Sequence, residues 1–145
     1  MDTVLVIGLI GLVGGIAVGL QAPLINMIGL RLGIMESVFI AHLGGAIFSA
    51  IPLLIARGGN LMQWRSVPWY ALIAGLFGLV ITVAINITIP RLGATTTIVL
   101  VVVGQLIIGM VIDHFGLLDT TVRVFTPSRL VGIVVLLLGT YLIMR

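Results

Sequence analysis

The sequence predicts an all-α integral membrane protein with five transmembrane helices. Three observations carry that expectation. Hydrophobic residues fill 61% of the 145 positions and charged residues only 8%, against about 25% charged in a soluble domain. Apolar runs near the length needed to cross a bilayer, roughly 20 residues, recur between short polar breaks. The seven basic residues are all Arg, standing singly between those runs, as loop anchors do. The net charge of +3 and pI of 10.7 are therefore read as membrane topology, not as nucleic-acid contact. Cys is absent, which excludes disulfides, thiol catalysis and Cys-based metal sites. Residues 1–145 are read as a single transmembrane domain.

The first helix is expected over about 3–30. The start has Asp2 and no basic n-region, and the apolar run is too long for a signal-peptide core, so it is read as a retained span. Gly11, Gly15 and Gly19 fall four apart and form one smooth stripe, the pattern that lets helices approach closely in lipid. Pro23 frees the Gly19 carbonyl, predicting a tilt or a bend there. The second helix is expected over about 37–56, ended by Arg57-Gly58-Gly59-Asn60. Ser66 and Pro68 suit the cap and first turn of the third, about 69–90. Trp64, Trp69 and Tyr70 read as an interfacial aromatic belt. The fourth is expected over about 94–112. The fifth, about 127–144, opens on a Thr126 cap with Pro127 at its first position and closes on Tyr141 and Arg145 as anchors. The connection 113–125 is the longest polar stretch and reads as partly helical or interfacial.

Five spans place the termini on opposite sides. Arg57, Arg65, Arg123 and Arg129 then lie on the N-terminal side, and Arg31, Arg91 and Arg145 on the other. Four against three is almost no bias, and Lys/Arg asymmetry is what fixes orientation. The expectation is insertion both ways up and an antiparallel homodimer, a ten-helix bundle matching the inverted repeats many transporters carry in one chain. The alternative is one orientation set by a weak bias and the first helix. A faint internal repeat is also visible. Ile25-Asn26 and Arg31-Leu32-Gly33 recur 60 residues later as Ile85-Asn86 and Arg91-Leu92-Gly93, and Gly44 falls on Gly104.

Polar side chains at membrane depth are costly, so each is a functional candidate. Gln21 lies ten residues before Arg31, roughly 15 Å along the axis, and Gln105 eight before Asp113, roughly 12 Å. Both read as central; Asn26 and Asn86 read as shallower. Gln21, Asn26, His42, Asn86 and Gln105 are the solute-pathway candidates. Their competing role is interhelical hydrogen bonding. His42, Glu36 and Asp113 are the proton-coupling candidates, since imidazole changes charge near physiological pH, although Glu36 also suits a helix N-terminus. Gly75, Gly78, Thr82 and Asn86 share one helix face, and Gln105, Gly109 and Asp113 another, so Gly75, Gly78 and Gly109 join the packing candidates. Asp113-His114 point to different faces, which favours capping or an interface over a metal or catalytic pair. No Walker A sequence, nucleophile–base pair or metal cluster is apparent. The expectation is therefore a non-enzyme with no cofactor, whose partners are a small-molecule solute, the bilayer and a second copy.

Gly14–Asn26 (GGIAVGLQAPLIN), Ile89-Pro90-Arg91-Leu92-Gly93, Gly104-Gln105-Leu106 and Ile112-Asp113-His114-Phe115-Gly116 resemble the YdcZ-like inner-membrane exporters, a short five-helix branch of the drug/metabolite transporter superfamily. The resemblance spans essentially the whole chain. It implies a bacterial inner-membrane, multi-pass location, antiparallel pairing and transport of a metabolite or drug-like solute, without naming the solute. The related small multidrug exporters use an acidic residue in the first helix; Gln21 stands in that region here, so their cation/proton exchange does not carry over. A passive pore or lipid scramblase, and a non-transporting structural subunit, are the alternative readings.

Overall fold

The computed structural model describes residues 2–124 and 126–144. It is helical: α1 (Asp2–Leu32), α2 (Ile34–Ile55), α3 (Trp69–Leu72), α4 (Ala74–Leu92), α5 (Ala94–Phe115) and α6 (Pro127–Met144), with short 3-10 turns at Leu61–Ser66 and Leu117–Asp119. Among the described residues, five helices are long and apolar enough to cross a membrane, with α3 and α4 counted as one span, Trp69–Leu92. The described residues form two compact units, one up to Pro90 and one from Arg91 on.

Local chemistry explains most boundaries. α1 stays helical through Pro23 and is not interrupted there, because one lost N–H removes one bond from a ladder whose neighbours persist. It ends at Gly33, with φ 119° and ψ 159°, and α4 ends at Gly93, with φ 80° and ψ 164°. That backbone region is open essentially to glycine alone. Each glycine carbonyl then accepts from the fourth residue on, Ser37 at 3.1 Å and Thr97 at 3.2 Å, so the next helix starts at once. This is why α2 begins at Ile34, ahead of Ser37. Two other expectations differ. Ser66 does not cap the third span: its Oγ donates to the Gln63 carbonyl at 2.7 Å inside a 3-10 turn, and Pro68 holds the cap position. The third span is also broken at Ile73, for which the sequence offers no cause.

In the first unit α2 and α4 run antiparallel, since Ser37 meets Asn86 and, five residues further on, His42 meets Gly78. α1 packs on α2. In the second unit α5 and α6 are antiparallel, with Asp113 near Arg129 and a shared cleft running from there past Gly109 and Gly132 to Gln105 and Leu136. Their connection is tied back on itself. Gly116 ends α5 at φ 61°, and the Arg123 N–H donates to the Asp113 carbonyl at 2.8 Å. Thr126 accepts from the Arg129 and Leu130 N–H groups, so α6 starts at the Thr126-Pro127 pair. The anchor read at Arg145 lies outside the described residues.

Candidate functional site

Two polar places stand out, one in each unit. In the first, Asn86 of α4 is buried and its Nδ2 donates to the Ser37 Oγ at 2.7 Å and to the Thr82 carbonyl at 2.9 Å. Ser37, fully buried, donates its own O–H to the Ile34 carbonyl at 2.8 Å. The Asn86 Oδ1 has no N–H or O–H partner; it is turned against Gly29 of α1, where a Cβ would overlap it. A Cα–H···O contact is what remains to that oxygen, and only a residue without a side chain leaves room for it. One amide therefore joins α1, α2 and α4. His42 lies further along: its Nδ1–H donates to the Val38 carbonyl at 2.8 Å, and its Nε2 lies where a Cβ on Gly78 would be 2.8 Å away. The carbonyl can only accept, so this bond leaves Nε2 as the ring's acceptor in the neutral imidazole.

In the second unit a cleft of about 400 Å³ is lined by Gln105, Gly109 and Asp113 on α5 and by Arg129, Gly132 and Leu136 on α6, among others. The Arg129 Nη1 and the Asp113 Oδ2 stand 3.8 Å apart, and each side chain is more than a third exposed. No atom would meet a Cβ added at Gly109 or Gly132 within 4 Å, so the glycines leave open space in the cleft.

The other candidates fall as follows. Asn26 is buried and its Oδ1 is unpartnered, as is the Oγ1 of Thr97. Gln21, His42, Gln105 and Glu36 are exposed within the chain. The Glu36 carboxylate folds back over Gly33 in the first turn of α2, a favourable place for a negative charge. Gly11, Gly15, Gly19 and Gly75 have nothing within 4 Å of an added Cβ, so nothing among the described residues packs on the α1 stripe. No group of three His, Cys, Asp or Glu comes together among the described residues.

Sequence reasoning passed over Ser37, Gly29 and Arg129. The first was legible in the 60-residue repeat, since Ser37 falls on Thr97 and the two are the most deeply buried side chains. Arg129 read only as an anchor, because its partner depends on how α6 returns along α5.

The family model described as "Putative inner membrane exporter, YdcZ" matches residues 6–142. The chain belongs to this family. No curated protein and no solved structure matches it. Membership of the YdcZ family and five span-length helices make this a multi-pass inner-membrane protein of an exporter class, a class that generally does no covalent chemistry. The match takes in both polar places, the Gly29–Ser37–Asn86 junction and the α5–α6 cleft.

Proposed function

We propose that the chain is a secondary transporter that exports a small metabolite or drug-like solute by alternating access, working as an antiparallel homodimer. The observation that supports this most is the bareness of the spans. No more than 17% of any span's most apolar stretch is buried within the chain, yet Gln21, His42 and Gln105 are exposed on it. An amide facing hydrocarbon without a partner is costly. A second copy, covering the Gly11–Gly15–Gly19 stripe and enclosing a wet passage, removes that cost. Near-equal Arg counts allow that copy to lie upside down, and Asn26 and Asn86 then hold the helices around a passage faced by Gln21, His42 and Gln105.

Two measurements test the proposal. The natural lack of Cys allows single cysteines at Asp2 and Arg145 to be probed with impermeant reagents in intact cells. Mixed labelling at each site is expected; one-sided labelling removes the antiparallel dimer. In proteoliposomes, saturable counterflow of a solute is expected, abolished by Gln21→Leu or Gln105→Leu with the fold intact. Solute or lipid movement without saturation would instead identify a passive pore or scramblase, and no movement across a broad solute panel would identify a structural subunit.

A further inference from the structure

The charges at the mouth of the α5–α6 cleft have the wrong signs for their helices. A helix carries partial positive charge at its N-terminus and partial negative charge at its C-terminus, so acids stabilise the start and bases the end. Here the acid, Asp113, lies near the C-terminal end of α5, and the base, Arg129, lies in the first turn of α6. Each side chain adds to the field of its own helix end instead of offsetting it. Capping therefore does not explain the pair. Nor does mutual attraction, since at 3.8 Å, with more than a third of each side chain exposed, it is a loose pair of the kind that contributes little. What the arrangement does create is a strong local dipole, negative at α5 and positive at α6, across a few ångströms.

Below that dipole the cleft is apolar. Leu106, Met110, Ile133 and Leu136 line it, and Gln105 supplies one amide at the end away from the charges. Its volume of about 400 Å³ lies within the range of small-molecule sites, which are mostly apolar with a few placed polar groups.

We propose that this cleft binds an amphipathic zwitterion: an ammonium and an acid anion within a few bonds of each other, carrying an apolar group. The anion takes Arg129, where the guanidinium fork and the start of α6 both favour negative charge. The ammonium takes Asp113, where the carboxylate and the carbonyl end of α5 favour positive charge. The loose ion pair opens, and each member gains a charge-assisted partner. The apolar group lies over Gly109 and Gly132, where the missing side chains leave room. A free apolar amino acid and a zwitterionic lipid headgroup with the first part of its chain share this chemistry. In the first form the proposal names the solute class and rests on the transport reading above; binding itself does not.

The test is equilibrium binding to the purified full-length protein in neutral detergent. L-leucine represents the free zwitterion and phosphatidylethanolamine the lipid. Leucinamide and 4-methylpentanoate carry the same apolar group with only one of the two charges. At least one zwitterion is expected to bind, with both single-charge analogues weaker by about tenfold or more. Asp113→Asn and Arg129→Gln should each weaken it to a similar degree. Gly132→Leu leaves both charges in place, adds a good helix former where space is open, and should abolish binding while the thermal melt stays at or above that of the parent protein. Binding of leucine assigns the site to a solute; binding of the lipid alone assigns it to a headgroup. The proposal is overturned if folded protein binds neither zwitterion, if it binds the single-charge analogues equally well, or if Gly132→Leu binds as the parent does. Proteoliposomes that move no solute while leucine still binds would sink the transport reading and leave this one standing. Transport of other solutes with no zwitterion bound would do the reverse.

Discussion

In the first unit, Asn86 is 7% exposed and Ser37 not at all; in the second, Asp113 and Arg129 each keep more than a third of their side-chain surface open. Both places join helices with polar groups, but by opposite means. The first uses neutral amides and hydroxyls, closed around a glycine. The second uses full charges held apart over a glycine-floored cleft. Neutral groups can be sealed because a hydrogen bond satisfies each donor at modest cost, whereas a sealed charge pair carries a large desolvation penalty. A closed neutral junction holds shape, and an open charged one is available to a ligand. The turns at Gly33 and Gly93 share their glycine-only backbone region and the hydrogen bond that starts the next helix, so the contrast lies in the side chains beyond those turns.

The largest effect that breaks this comparison is expected at Gly29. Gly29→Ala drives a Cβ into the Asn86 amide, which overpacks the contact and strains the Ser37 bond, a loss of about 3 kcal/mol read as a lower melting temperature in detergent. Next come the two turns. Gly93→Ala has open space around it, so its cost is backbone strain alone, about 2 kcal/mol. Gly33→Ala carries the same strain and also displaces the Glu36 carboxylate, so it should melt no higher; equal costs would show that Glu36 swings clear freely. Ser37→Ala removes one acceptor from Asn86 and leaves the Thr82 carbonyl in place, so about 0.6 kcal/mol is expected, the usual scale of a hydrogen bond between membrane helices. Smallest is Asp113→Asn, about 0.3 kcal/mol or less in stability, with any loss shrinking as salt rises. A Ser37→Ala cost below that of Asp113→Asn would reverse the assignment of the closed junction as the structural one.

Some of the candidate site was legible in residue order and some was not. The repeat at Ile25-Asn26 and Ile85-Asn86 marked both asparagines, and both are buried. The shared face of Gln105, Gly109 and Asp113 followed from helical periodicity, and all three line one cleft. The face of Gly75, Gly78, Thr82 and Asn86 was likewise readable, but not that Gly78 lies against the Nε2 edge of His42 or that Asn86 is anchored to Ser37. Depth counted from the nearest charge ranked Gln21 and Gln105 as the inner residues, yet within the chain these are exposed while Asn26 and Asn86 are buried. Distance along an axis says how far a residue lies from a helix end; it does not say which side of the helix meets a neighbour.

The sequence by itself determined the spans and their number, because a chain this apolar has to satisfy its backbone within each segment, and that requirement is local; it did not determine the break at Ile73. It permitted the turns at Gly33 and Gly93, since glycine is the residue type that backbone region accepts, but the start of α2 at Ile34 was read only from the structure. Only the tertiary structure decided that Gly29 admits Asn86, that Ser37 is its partner, and that Asp113 faces Arg129 across an open cleft. Those are meetings between residues 16 to 57 positions apart, fixed by how each hairpin closes and by where an absent side chain lets two helices touch.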